Sequence, residues 1–101
     1  MRIIVVGAGE VGTYVADRLS RQEHDIALIE LDPERFRQVD AELDVLAING
    51  SGTDPAALER AGITDADLLV AATNKDEINL FSALLLLRIQ DRLRQEKCSI
   101  P

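Results

Sequence analysis

The sequence predicts an α/β fold, a doubly wound parallel sheet with helices on both of its faces. Short apolar runs alternate with segments of helical periodicity, and short turn-rich loops join them. The first apolar run, residues 3–6, has no polar alternation, as expected of a strand that is covered on both faces. Regular alternation of strands and helices indicates parallel βαβ units. We therefore expect one sheet and one domain in the 101 residues.

Four strands are predicted from apolar runs bounded by turn residues, at residues 3–6, 25–30, 45–48 and 68–72. The first helix follows the glycines of residues 7–12, because apolar residues recur there at helical spacing. These assignments place a helical connection between the first two strands.

Two later helices carry the same start signal. Asp32-Pro33 and Asp54-Pro55 each place an N-cap residue before a proline at the first helical position. The first of these helices is expected over residues 33–41. Gly62 is expected to stop the other, since a glycine often follows a helix end.

The last helix is predicted over residues 75–94, after Asn74 and Glu77, which resemble a capping pair. Its apolar residues cover more than one face, and such a helix must be buried on several sides. A small sheet covers only part of it, so we expect self-association through this helix. The domain is expected over residues 1–94, with residues 95–101 as a frayed tail.

Charge and composition exclude several classes of partner. The formal net charge is -7, whereas nucleic-acid binding needs clustered Lys and Arg, so no nucleic-acid partner is expected. The same charge disfavours adhesion to an anionic membrane, and no apolar run is long enough to insert across a bilayer. The single cysteine, Cys98, cannot form an internal disulfide, which fits a reducing cytoplasmic compartment.

Residues 7–12 carry the pattern that indicates a ligand. Gly7-Ala8-Gly9-Glu10-Val11-Gly12 matches G-x-G-x-x-G after a strand and at the start of a helix, the context in which this motif binds dinucleotides. In that motif Gly7 permits a tight turn, Gly9 lets a pyrophosphate approach the backbone, and Gly12 lets helix and strand pack closely. The unpaired N–H groups of the helix N-terminus attract the phosphates. The fold is therefore expected to be Rossmann-like, with the whole loop binding a cofactor.

Glu30 ends the second strand, about 20 residues beyond the last glycine, where a ribose-binding acid is expected. A carboxylate there accepts hydrogen bonds from both ribose hydroxyls and repels a 2′-phosphate, so NAD(H) is predicted rather than NADP(H). A solvated acid at a strand end is the alternative interpretation. Asp32 lies close by and is interpreted mainly as a helix cap.

Two further loops follow the carboxyl ends of strands, where doubly wound sheets collect ligands. Residues 49–53 are candidates for the adenine side, and the loop Ala72-Thr73-Asn74 is a candidate for the far phosphate or ribose. Turn and cap formation explains these residue types equally well. Both interpretations stay open at this point.

The sequence contains no recognisable catalytic set. His24 is its only histidine and is predicted to be exposed in a polar turn. No Cys/His cluster has the spacing of metal ligands, and no motif combines a nucleophilic Ser with a His and an acid. Neither an enzyme nor a metal site is therefore expected.

Taken together, these motifs resemble the TrkA N-terminal domain, also called the RCK or KTN domain. The strings AGITDAD and AATNKDEIN are the most telling part of the resemblance. The matching stretches are residues 7–12, 30–35, 49–55, 58–63 and 66–80, within a similarity that extends to about Leu87.

The resemblance implies the NAD-binding regulatory subunit of bacterial Trk potassium-uptake systems. Such domains assemble into dimers or larger rings beneath a membrane-embedded potassium channel subunit, and nucleotide binding shifts the ring between conformations. A homo-oligomer, a Trk-type channel partner and a cytoplasmic position at the inner face of the membrane are implied. By position, residues 7–12 would hold phosphates and Glu30 the ribose. Ser51 and Gly52 would border the adenosine, and Thr73 and Asn74 would lie on the far side.

Two departures from the family pattern affect these expectations. The family usually has an aspartate where Glu30 stands, and the longer acid should still reach the ribose. The family also continues with a strand resembling Ile-Ala-Arg-Val-Arg where this chain ends at residues 98–101. The fold is therefore expected to be truncated after the fourth helix.

Two alternatives accompany the regulatory hypothesis. A cofactor-binding fragment of an NAD-dependent oxidoreductase would use the same fold and site. ATP or ADP is an alternative ligand to NAD(H). Glu10, at the mouth of the phosphate loop with no neighbouring Lys or Arg in the sequence, is expected to disfavour a triphosphate.

Overall fold

The computed structural model describes residues 1–73, which form a four-stranded parallel sheet with helices. The strands are β1 (Arg2–Val6), β2 (Asp25–Glu30), β3 (Leu46–Asn49) and β4 (Leu68–Ala71). They lie in the order β3-β2-β1-β4, and each neighbouring pair is parallel. The predicted α/β class is confirmed, and every strand begins and ends within a residue of its predicted position. The predicted fourth helix and the tail lie outside the described residues.

The helices are α1 (Glu10–Ser20), α2 (Pro33–Glu42) and α3 (Pro55–Arg60). Both predicted caps are present: the Asp32 carboxylate accepts from the Glu34 N–H and the Asp54 carboxylate from the Ala56 N–H, each at 3.0 Å. Gly62 follows α3 as predicted. A 3-10 helix (Ile63–Asp65) comes next; its three residues are too short to give a periodic signal in the sequence.

Helices cover both faces of the sheet, because successive side chains of a strand point to opposite sides. One face packs against α1 and α2 through the buried residues Ile3, Val5, Ala8, Ala16, Ile26, Leu28 and Val39. The other packs mainly against α3 and the 3-10 helix through Ile4, Val6, Ala27, Ile29, Ile48, Ala57, Leu58, Ala61, Ile63 and Ala66. The sheet is therefore doubly wound, as expected.

The position predicted for His24 is corrected by the structure. His24 is half-buried rather than exposed, and its Nδ1 atom is buried without a hydrogen-bond partner. The turn after α1 folds it against the amino edge of the sheet, where it lines a small cavity beside Asp25 and Asp44. A polar turn in the sequence does not reveal this packing.

Within residues 1–73, no helix combines the length and the apolar character needed to cross a membrane.

Candidate functional site

A cavity of about 520 Å³ opens at the carboxyl edge of the sheet. Its walls are the loop after β1, the end of β2 with the start of α2, the loop after β3 and the residues after β4. The chain leaves β1 for a helix on one face and leaves β3 for a helix on the other. A crevice at the carboxyl ends of the strands is where doubly wound sheets of this kind bind their ligands.

Most of the residues predicted for the site line this cavity, although they come from distant parts of the sequence. The lining members are Gly7, Gly9, Glu10, Val11, Glu30, Ser51, Gly52 and Thr73. Two predicted residues, Ala8 and Gly12, are not part of its wall. Asn74 lies outside the described residues. The fold thus brings the three predicted loops and the predicted acid to one place.

Gly12 acts in packing rather than in lining the cavity. A Cβ atom at this position would overlap the carbonyl oxygen of Gly7 and approach the side chain of Ala72 to 3.5 Å. The first turn of α1 therefore sits directly against the loop after β1, and only a residue without a side chain fits.

Gly9 has the opposite surroundings. It is the N-cap of α1, has no side chain to cap the helix, and no heavy atom lies within 4 Å of where its Cβ would stand. The first intrahelical bond at this end runs from the Thr13 N–H to the Gly9 carbonyl at 2.9 Å. The preceding N–H groups of the first turn have no acceptor within the helix, and they carry the positive end of its dipole. This end of α1 borders the cavity through Glu10 and Val11.

Glu30 joins the glycine loop to the end of β2. Its side chain is buried, at 7% exposure, and both carboxylate oxygens accept backbone hydrogen bonds. The Ala8 N–H donates to Oε1 and the Asp32 N–H donates to Oε2, each over 2.7 Å. A carboxylate offers about four acceptor positions, so two remain for hydroxyl groups entering the cavity. Ala8 therefore contributes through its backbone, which explains its absence from the cavity wall.

The loop after β3 is fastened to the same strand end. The Asn49 side-chain amide donates to the carbonyl oxygens of Glu30, at 2.9 Å, and Leu31, at 3.1 Å. Farther along, the hydroxyls of Ser51 and Thr53 are 2.7 Å apart, and the Thr53 N–H donates to the Ser51 hydroxyl. These bonds fix the loop as a wall of the cavity beside Glu30.

The charged lining is mostly acidic. Among the described residues, the charged members of the cavity lining are Glu10, Glu30, Asp32 and Arg35. Arg35 was not singled out from the sequence, although its place three residues after the cap Asp32 puts it on the first turn of α2. The first turn of a helix that follows a parallel strand lies at the carboxyl edge of the sheet. The spacing of Arg35 from the cap Asp32 is therefore a sequence signal that could have placed Arg35 near the site.

A metal centre finds no support in the part of the chain that is described. Within residues 1–73, no group of three His, Cys, Asp or Glu side chains is placed to hold a metal ion.

Comparison with known proteins gives consistent matches. The family model of the TrkA-N domain matches residues 3–96. The Trk system potassium uptake protein TrkA of Halomonas elongata is 43% identical over 82 residues, which are 81% of this chain and 18% of that protein. A TrkA homolog of Archaeoglobus fulgidus is 48% identical over 84 residues, 83% of this chain and 19% of the relative. The chain thus spans less than one fifth of the length of these two relatives.

A solved structure extends the similarity to three dimensions. The Kef C-terminal domain of Shewanella denitrificans, in an AMP-bound form, superposes with a TM-score of 0.71 at 26% identity. The match covers 85% of this chain and 51% of that one. Since the family model covers most of the sequence and the relatives are more than 40% identical, this chain belongs to the TrkA-N domain family.

Proposed function

We propose that this domain is the nucleotide-sensing regulatory part of a potassium uptake system and that it binds NAD(H) at the carboxyl edge of its sheet. One observation carries the proposal. The uncapped N-terminus of α1 and the buried carboxylate of Glu30 border the same cavity. Donors for a diphosphate and an acceptor for ribose hydroxyls are therefore present together, as a dinucleotide requires.

The proposed binding mode assigns a part of the ligand to each wall. The diphosphate lies against the backbone of residues 7–12, where Gly9 leaves room for it. Ribose hydroxyls donate to the carboxylate of Glu30. Ser51 and Gly52 border the adenosine, while Thr73 and Asn74 lie towards the second half of the dinucleotide. The AMP found in the structure of the Shewanella Kef domain supports an adenine nucleotide as the ligand class.

Acidic lining favours NAD(H) over more highly charged nucleotides. Glu10, Glu30 and Asp32 all line the cavity, and Arg35 is the one basic residue of the lining among the described residues. Each added phosphate increases the repulsion from these carboxylates. We therefore expect ATP and NADP(H) to bind more weakly than NAD(H), with ADP intermediate.

The regulatory role rests on the names of the relatives, which are potassium uptake proteins. In this role the domain performs no catalysis and works in the cytoplasm as a homo-oligomer beneath a Trk-type channel subunit. Regulation requires only that the nucleotide binds two conformations of the assembly with different affinity. The oxidoreductase alternative uses the same site, but no described feature favours it. Hydride transfer from NADH to a substrate would support that alternative and contradict the regulatory proposal.

The decisive experiment is a calorimetric titration of the 101-residue chain with NADH, NAD, AMP, ADP and ATP. The expected result is saturable binding, with NADH tighter than ATP. Tighter binding of ATP would contradict the assignment to NAD(H). Absence of nucleotide binding by the folded chain would overturn the proposed site.

Two variants at Gly9 test the phosphate position directly. Asp and Asn are nearly the same size, both are good N-cap residues, and the space around Gly9 accepts a side chain. Gly9→Asn and Gly9→Asp should therefore fold with unchanged or increased melting temperature. Gly9→Asp should bind NADH far more weakly than Gly9→Asn, because its charge faces the phosphates. Affinities for NADH in both variants that equal the wild-type value would place the phosphates elsewhere.

A further inference from the structure

Arg35 is the single basic side chain that lines the cavity within the described residues. It stands on the first turn of α2, on the wall formed by the end of β2 with the start of α2, whereas the glycines form the loop after β1. Leu31 lies on the same wall, and 61% of this large apolar side chain is exposed. The cavity lining that follows Glu30 in the sequence therefore includes an arginine and an exposed apolar residue.

The guanidinium of Arg35 is not firmly held by the protein. Its contact with the Asp32 carboxylate is long, at 3.9 Å, and the two side chains are 53% and 49% exposed. Exposed ion pairs of this kind constrain a side chain only weakly. Arg37 on the same helix behaves differently: its Nε donates to the Pro33 carbonyl at 3.2 Å, and it does not line the cavity. Two neighbouring arginines thus differ in their access to the site.

We propose that Arg35 recognises the base of the nucleotide, with its guanidinium plane stacked on the adenine ring and Leu31 at the ring edge. This inference rests on the proposed function and adds a specificity-determining residue to it. Guanidinium groups are planar and weakly hydrated, so they stack on aromatic rings where a lysine ammonium does not. Stacking on a heteroaromatic base, with a cation–π contribution from arginine, is a common means of holding a nucleotide.

The position of Arg35 favours the base over the phosphates as its partner. In the proposed binding mode the diphosphate lies at the first turn of α1, and Glu30 holds the ribose next to it. Arg35 follows Glu30 along the chain and lines the same cavity as Leu31 and as Gly50 of the loop after β3. An apolar side chain suits a base and offers nothing to a phosphate.

The test compares Arg35→Ala, Arg35→Lys and the matched control Arg37→Ala in the 101-residue chain. AMP and NADH are titrated by calorimetry, and ribose 5-phosphate is titrated by NMR. Arg35→Ala is expected to weaken AMP and NADH about tenfold, as for loss of a partly desolvated cation–π contact. Arg35→Lys should lose nearly as much, while Arg37→Ala should match the wild type. Ribose 5-phosphate, which has no base, should bind equally to all four proteins.

Each other outcome counts against the inference in a distinct way. Wild-type affinity in Arg35→Lys would reduce the role of Arg35 to charge alone. Equal weakening of ribose 5-phosphate would place Arg35 at the phosphate. Wild-type affinity of Arg35→Ala for AMP would overturn this inference and leave the proposed function standing. Failure of the wild type to bind AMP or NADH would overturn both. Melting temperatures of the variants check folding, and they should be unchanged because Arg35 is half exposed.

Discussion

At each end of β1 a carboxylate accepts hydrogen bonds from nearby backbone N–H groups, but one carboxylate is buried and the other is exposed. At the carboxyl edge of the sheet, buried Glu30 accepts from the backbone of Ala8 and Asp32. At the amino edge, exposed Asp67 accepts from the Arg2 N–H at 2.9 Å, and its own N–H donates to the Arg2 carbonyl. The bond to Asp67 is exposed, whereas Glu30 is buried and the bond that it accepts from Ala8 is buried as well. A substitution that removes a hydrogen bond should therefore destabilise the fold more at the buried carboxyl edge than at the exposed amino edge.

This difference has a functional consequence. The edge with the buried carboxylate and the tight glycine packing is the edge that borders the larger cavity. A site that is already bonded together before a ligand arrives loses less conformational freedom on binding. The amino edge needs only to align two strands, and exposed groups suffice for that.

The largest expected difference in stability is between alanine substitutions of two glycines, Gly12 at the carboxyl edge and Gly62 at the amino edge. In Gly12→Ala the new methyl group meets the backbone oxygen of Gly7, which cannot move without distorting the loop. In Gly62→Ala it meets the flexible side chain of Arg2, so the main cost is the positive φ of +88°. We expect a loss in the free energy of unfolding of about 3 kcal/mol or more for Gly12→Ala. The loss for Gly62→Ala should be about 1–2 kcal/mol.

Urea denaturation followed by circular dichroism measures both variants. If Gly12→Ala has no cooperative transition while Gly62→Ala unfolds cooperatively, the order of the two effects is supported. A larger loss in the free energy of unfolding for Gly62→Ala than for Gly12→Ala would contradict the expectation that the carboxyl edge tolerates substitution less well.

The next effect is expected at Glu30. In Glu30→Gln one oxygen becomes an NH₂ group, which then faces a backbone N–H donor in a buried place. Leaving such a donor unsatisfied should lower the free energy of unfolding by about 2 kcal/mol. Chemical denaturation checks this value, and a loss as small as that of an exposed residue would show that the carboxylate is dispensable for the fold.

The order of elements could be predicted because its signals are local. Asp32-Pro33 and Asp54-Pro55 fix two helix starts through side-chain caps and proline geometry, and apolar runs fix the strands within a residue. The 3-10 helix Ile63–Asp65 has no such signal. The burial of His24 depends on how a turn packs against the sheet edge, which involves residues far away in the sequence. Long-range packing therefore limits what the sequence alone predicts.

The candidate site likewise contains residues that a local motif predicts and residues whose position depends on packing. The glycines and Glu30 were predicted because a motif with fixed spacing specifies them. Arg35 and Leu31 were not, since their place on the cavity wall depends on the angle at which α2 leaves β2. The bond from the Ala8 N–H to Glu30 is another feature that no spacing rule reveals.

Removing the helix caps should have a smaller effect, and it tests whether the loss of stability depends on burial or on position at the carboxyl edge. Asp32 and Asp54 cap α2 and α3 at the carboxyl edge, yet both residues are exposed. Asp32→Ala and Asp54→Ala should each lower the free energy of unfolding by about 1 kcal/mol, the usual value of an N-cap. Thermal unfolding of each variant measures it. Losses as large as that of Glu30→Gln would mean that position at the carboxyl edge, and not burial, determines the loss of stability.

The smallest effect is expected at Asp67, and it completes the comparison with Glu30. In Asp67→Asn the remaining oxygen still accepts from the Arg2 N–H, while the new NH₂ group turns to solvent because the residue is exposed. The free energy of unfolding should fall by less than about 0.5 kcal/mol, as for most surface substitutions. Side-by-side denaturation with Glu30→Gln measures the difference between the two carboxylates. If both amide variants lost the same stability, solvent access would not be what distinguishes the two ends of β1, since the chemical change is the same in each.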